Sequence, residues 1–111
     1  GLAKREFIYN KDLGRIIDWV VENYNDTEPL IISPDEEINI ASLSNKIASI
    51  FKFFNTILFD NSMPDGMIRK PSDNTKLKGL LPDFSYTSIE DGLEETIQWF
   101  TDNYDKGNVR L

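Results

Sequence analysis

Three stretches of apolar residues at helical spacing set what this chain can fold into. In "DLGRIIDWVVENY" the apolar positions are Leu13, Ile16, Ile17, Val20, Val21 and Tyr24. In the middle of the chain they are Ile40, Leu43, Ile47, Ile50, Phe51 and Phe54, and near the end Ile89, Leu93, Ile97, Phe100 and Tyr104. Each set recurs every three or four residues, the signature of a helix with one buried stripe. Three such stripes need apolar cover, and the rest of the chain must be asked whether it can supply it.

Between the helices lie short apolar runs that read as strands. "REFIY" is a short run of bulky residues. "PLIIS" is continuously apolar, which fits a strand buried on both faces as in a parallel sheet, and "TILFD" is a third candidate. Asn10 and Asn39 are expected N-caps, with Asp12 in the first turn of its helix, and "PDEE" is a loop. Asp73 or Asn74 caps a short helix in "DNTKLKGLL", and Thr87 with Glu90 forms a T-x-x-E capping box for the last helix. The order is α/β in character. Three short strands cannot comfortably cover three amphipathic helices, so the chain is expected to be the trailing part of a larger α/β protein.

Composition narrows the chemistry. The 111 residues are 40% hydrophobic and 12% aromatic, enough for one folded domain with a modest core. A net charge of −7 opposes non-specific binding to nucleic acid or an anionic membrane. There is no cysteine and no histidine, which removes a Cys/His zinc site, a thiol nucleophile and a Ser-His-Asp triad from this chain. No apolar run approaches the roughly 20 residues of a membrane span, and no signal peptide opens the chain. A cytoplasmic protein without nucleic-acid or membrane partners is the expectation.

The cations are concentrated. Residues 1–15 hold Lys4, Arg5, Lys11 and Arg15 against Glu6 and Asp12, and residues 63–80 hold Arg69, Lys70, Lys76 and Lys78 against Asp65 and Asp73. Residues 83–105 carry acids and no cation. An anionic ligand therefore belongs near the first two stretches. Arg5 begins an extended segment, and a guanidinium can grip phosphate oxygens with paired hydrogen bonds. Lys70 follows the turn Pro64–Asp65–Gly66, which can fix its approach, and Arg69 stands beside it. Asp65 reads first as an ordinary turn residue, since Pro-Asp-Gly is a common turn; its alternative role is to accept from ligand hydroxyls or a base edge. Glu90, Asp91, Glu94 and Glu95 could suggest a metal or acid/base cluster, but acids at a helix N-terminus favour its dipole and form a solvated face, so no metal is expected. Trp99 and Phe100 could line a ligand pocket, but read rather as packed or partly exposed residues of the last helix.

"REFIYNKD" resembles the R-[DE]-F-[IV]-[HY]-x-x-D segment of extended short-chain dehydrogenases/reductases acting on nucleotide sugars. "FDNSMPDGMIRKPSDNTKL" is similar to the F-D-x-x-x-x-D-G-x-x-x-K-x-x-x-[DN]-x-[RK]-L stretch of the GDP-L-fucose synthase family. "LPDFSYTSIEDGLEETIQWFTDNY" looks like the end of that family's eukaryotic members, and "EPLIIS" fits too. The resemblance implies that residues 1–111 are a C-terminal GDP-sugar-binding portion, of short strands packed with about three amphipathic helices. An N-terminal Rossmann domain, absent from this chain, would bind NADP(H). The family's phosphate-contacting arginine and lysine map to Arg5 and Lys70, its nucleotide-contacting aspartate maps to Asp65, and Arg69 matches a basic position beside the lysine. The parent enzyme would be a homodimer that epimerises and reduces a GDP-4-keto-6-deoxy sugar.

The departures bound that expectation. The Gly-rich cofactor loop, the catalytic serine, tyrosine and lysine, and the sugar-facing cysteine and histidine are not in this chain. Tyr9, Tyr24, Tyr86 and Tyr104 are followed four residues later by Leu13, Glu28, Glu90 and Asn108, never by lysine. The family's tryptophan upstream of the Arg5 segment is also missing. No catalytic or cofactor-binding residue is therefore assigned here, and the chain alone is expected to be inactive. Two alternatives remain: the substrate-binding part of another nucleotide-sugar epimerase/reductase, or a non-catalytic interaction domain.

Overall fold

The computed structural model describes residues 1–64 and 66–109. Its elements are β1 (Lys4–Glu6), α1 (Asn10–Asn23), β2 (Glu37–Asn39), α2 (Ile40–Ile50), α3 (Thr75–Leu80) and α4 (Ile89–Tyr104). The two strands pair antiparallel, with Lys4 opposite Asn39, Arg5 opposite Ile38 and Glu6 opposite Glu37. The three amphipathic helices and the short α3 fall where the apolar spacing puts them.

The sheet differs from expectation. Strand β1 takes Lys4 and only Arg5 and Glu6 of "REFIY", and its partner begins at Glu37, the last residue of the "PDEE" stretch read as a loop. Neither "PLIIS" nor "TILFD" is a strand, and no parallel pair exists among the described residues. Both runs lack a partner strand to complete a ladder, so their continuous apolar character does not become sheet burial. Ile31 and Leu58 are exposed instead.

Helix ends show the local chemistry. Asn39 caps α2 as expected, its Oδ1 accepting from the Ser42 amide at 2.7 Å. The helix stops at Phe51, short of the Phe54 that the stripe includes. Lys52 takes φ 54°, its amide donates to the Ser49 carbonyl at 3.0 Å, and the Phe53 amide donates to the Ala48 carbonyl at 2.8 Å. These two bonds form a Schellman cap with Lys52 in the left-handed position. Asn10 is not a cap: Tyr9 is, without a side-chain bond, and Asn10 is already helical. The N-cap of α4 is Ser88, one residue later than read, and no T-x-x-E box forms: Ser88 Oγ accepts from the Asp91 amide at 3.1 Å and donates to Asp91 Oδ2. Thr87 is unavailable because Asp12 takes both its amide, at 2.7 Å, and its hydroxyl, at 2.9 Å.

That contact joins the start of α1 to the start of α4. Asp12 is 1% exposed and also accepts from Arg15 at 2.5 Å. A second joint ties α3 to the irregular stretch before β2. Asn74 donates to the Ser33 carbonyl at 2.9 Å and to Asp35 at 2.8 Å, and the Tyr86 hydroxyl donates to the same Ser33 carbonyl. At the first turn of α3 it is Asp73 that bonds the Thr75 amide. Helices α2 and α4 pack together, and Phe51 meets Phe100 edge-on. Phe100 packs and Trp99 is 55% exposed, as a packed-or-partly-exposed pair on the last helix requires. The fully apolar core is small, with Ala3, Ile16 and Leu77 its buried hydrophobic members.

Candidate anion site at the sheet edge

Strand β1 has two edges, and both are occupied. β2 takes one. Along the other lies the segment that follows the Pro64–Asp65–Gly66 stretch: the Lys4 amide donates to the Ile68 carbonyl at 2.7 Å, and Glu6 Oε1 accepts from the Ser72 amide at 2.9 Å. The two cation-rich stretches of the sequence are therefore laid side by side, although more than sixty residues separate them.

Arg5 donates from Nη1 to its neighbour's carbonyl at 2.6 Å, and its Nη2 lies 3.8 Å from where a side chain on Gly66 would begin. Its guanidinium thus reaches the start of the Gly66–Ser72 segment. Lys70 is exposed and has no hydrogen-bond or ion-pair partner among the described residues. Asp65 lies outside the described residues. Arg69 is engaged: Nε donates to Glu37 Oε2 at 2.9 Å, and Nη2 bridges to the same oxygen. Its guanidinium is half of an ion pair rather than an open phosphate ligand.

Glu37 is the residue that sequence reading missed. Its side chain is 11% exposed, and its Oε1 is buried without a hydrogen-bond partner. The bonds from Arg69 hold its carboxyl below the ordinary glutamate value; burial works against them, and the fields of Arg69, Lys4 and Arg5 add to the lowering. The same pair raises the Arg69 pKa further above its usual value. No signal in "PDEEIN" marks Glu37, because only the cross-strand register brings it to this cluster. The edge therefore presents Arg5 and Lys70 as cations with no carboxylate partner among the described residues, beside a neutralised Arg69–Glu37 pair. Such a place can hold an anion without a large net field.

The acids of α4 are engaged by other parts of the chain and by the helix's own cap. Glu90 pairs with Lys46, Asp91 serves the cap, and Glu95 accepts from the Tyr9 hydroxyl and from Lys11. No group of residues able to hold a metal occurs among the described residues. An apolar groove of about 480 Å³ opens between Phe7–Asn10, α2 and α4; no charged side chain lines it, so it is unsuited to an anion. No helix among the described residues is long and apolar enough to cross a membrane.

No family model matches the chain. Solved structures do. The dTDP-glucose 4,6-dehydratase of Bacillus anthracis, in complex with NAD, superposes with a TM-score of 0.74 over 95% of this chain and 33% of its own, at 22% identity. The chain thus shares the fold of about a third of that enzyme. A GDP-L-fucose synthetase of Naegleria fowleri bound to NADP is nearer, with a TM-score of 0.93 over 98% of this chain and 35% of that one, at 34% identity. A probable GDP-L-fucose synthase of Drosophila melanogaster is 35% identical over 108 residues, 96% of this chain and 34% of the relative. The GDP-L-fucose synthase of Dictyostelium discoideum is 39% identical over 107 residues, 95% of this chain and 33% of the relative. The chain is a homologue of the GDP-L-fucose synthases and spans about a third of the length of the relatives it matches.

Proposed function

We propose that this chain is the C-terminal, GDP-sugar-binding portion of a GDP-L-fucose synthase. Arg5 and Lys70 grip the diphosphate, Asp65 meets the nucleoside, and Arg69 supports the site. An N-terminal Rossmann domain supplies NADPH and the acid/base groups. The whole enzyme, a cytoplasmic homodimer, epimerises GDP-4-keto-6-deoxy-D-mannose and reduces it to GDP-L-fucose. The observation that carries this reading is the meeting of Arg5 with the Gly66–Ser72 segment along one edge of β1. Two segments that resemble phosphate-gripping motifs converge there, in a chain whose overall charge opposes anions.

In this reading the chain contributes no reacting group. Its grip on the diphosphate, remote from the sugar carbons, holds the sugar in register with the hydride donor and the proton-transfer groups. By itself the chain is inactive. Lys70→Ala in the whole enzyme is expected to weaken GDP-sugar binding about tenfold or more while NADPH binding stays within twofold, because one charge-assisted hydrogen bond is worth at least about 1.5 kcal/mol. Steady-state kinetics in both substrates reads this directly. Equal losses for both substrates, or none, would remove Lys70 from the site, and stronger competition by UDP than by GDP would shift the assignment to another nucleotide-sugar enzyme.

A further inference from the structure

We propose that Glu37 is a positioning residue for the anion site: by holding Arg69, it fixes the Ile68–Ser72 segment against β1 so that Lys70 is turned to the side of the sheet that Arg5 occupies. The inference rests on the diphosphate reading and assigns a residue which that reading does not include.

The argument is one of alternation. Glu6 and Glu37 are directly opposed in the antiparallel pair, so they share one face, and Arg5 with Ile38 shares the other. Arg69 bonds Glu37 and so belongs with the Glu6–Glu37 face. Lys70 precedes Pro71, which drives it towards extended backbone, where neighbouring side chains point to opposite sides. Lys70 then falls on the Arg5 side. Two hydrogen bonds fix the segment lengthwise, the Lys4 amide to the Ile68 carbonyl and the Ser72 amide to the Glu6 carboxylate, and the Arg69–Glu37 pair fixes its rotation. The adjacent cations of the sequence thus divide the work, one as anchor and one as ligand.

Glu37 is costly if it serves stability alone. One of its oxygens is buried without a donor, a feature that ordinarily destabilises. Arg69 is the exposed partner, and half-exposed ion pairs give little stability on their own. A local cost retained beside a cation that pairs with no carboxylate among the described residues fits a placing role.

The test is a set of GDP dissociation constants for the whole enzyme carrying this chain. The variants are Glu37→Gln, Arg69→Met, Lys70→Met and the double variants of Glu37→Gln with each of the other two, with NADP affinity and melting temperature measured alongside. Expected are losses of GDP affinity of about tenfold for each single variant, with NADP affinity within twofold. Lys70→Met is expected to cost less than about threefold more once Glu37 is replaced, and Arg69→Met likewise. Coupling between Glu37 and Lys70, which make no contact, is the mark of positioning. A purely structural role would lower the melting temperature and leave the Lys70 effect additive, and that result overturns the inference while preserving the diphosphate reading. Tighter GDP binding by Glu37→Gln also overturns it, since Glu37 would then be a competitor for a ligand-binding Arg69. No effect of Lys70→Met in the otherwise unaltered enzyme overturns the diphosphate reading and this inference together.

Discussion

At the scale of single residues, Asp12 carries the most. From sequence it is a helix-start acid of ordinary value. In the structure it is buried and accepts from the Thr87 amide, the Thr87 hydroxyl and Arg15, closing a contact across 75 positions of sequence. Burial alone would raise its pKa; the bonds from Arg15 and Thr87 outweigh burial and leave it below its usual 3.8. A carboxyl lowered on folding stabilises the fold above its unfolded value, and that contribution is lost as pH falls through the folded value. Asp12→Ala leaves the Thr87 amide and hydroxyl without their acceptor and is expected to cost about 2–4 kcal/mol, seen as a lower urea midpoint. In Asp12→Asn, part of the pH dependence below 3.8 should vanish; an unchanged acid limb would show that Asp12 is not a principal acid-sensitive link. The same scale explains what was legible at the site. Arg5 and Lys70 could be named as candidates because a cation's chemistry is intrinsic to the residue. Glu37 could not, because its role comes entirely from which residue the register sets near it.

At the scale of elements, helices were legible and strands were not. Helical periodicity lies within one segment, so the stripes of α1, α2 and α4 foretell their own spans. A strand of three residues exists only through its partner, and "EIN" has no pattern of its own; its register with "KRE" is a long-range event. Helix ends lie between these cases. The Asn39 cap is chemically compelled and was readable, whereas the shift from Thr87 to Ser88 depended on Asp12 having claimed Thr87. The α2 stop has a consequence that can be measured. Lys52 sits at φ 54°, where a side chain meets the following carbonyl and glycine does not. Lys52→Gly is expected to stabilise the chain by about 0.5–1 kcal/mol despite the greater freedom glycine gains on unfolding. A urea midpoint equal to or below that of the parent would mean that other contacts of the Lys52 side chain offset the backbone strain.

At the scale of the whole molecule, the surface is too large for its mass. The accessible area is 8591 Å², where a folded monomer of 12.8 kDa should show about 6,300 Å². The radius of gyration is 16.8 Å against about 13 Å for a compact chain of this length. The excess has an apolar component: Phe54 is 88% exposed and Leu58 87%, with Phe53, Met63, Met67 and Ile68 also open. The shortage of sheet to cover the helices could be read in the sequence; that the cover is missing chiefly along the segment after α2 could not, because "TILFD" has the pattern of a buried strand. Surface of this kind associates with whatever apolar face it meets. The 111-residue chain alone is expected to form concentration-dependent oligomers at tens of micromolar in sedimentation velocity, and Phe54→Ser with Leu58→Ser should restore monomer without loss of helical circular dichroism. A parent chain that stays monomeric and binds no hydrophobic dye would mean that this segment folds back over the helices in solution. Association unaffected by the two substitutions would move the adhesive face to the groove between α2 and α4, where Leu43, Ile47 and Leu93 line the wall.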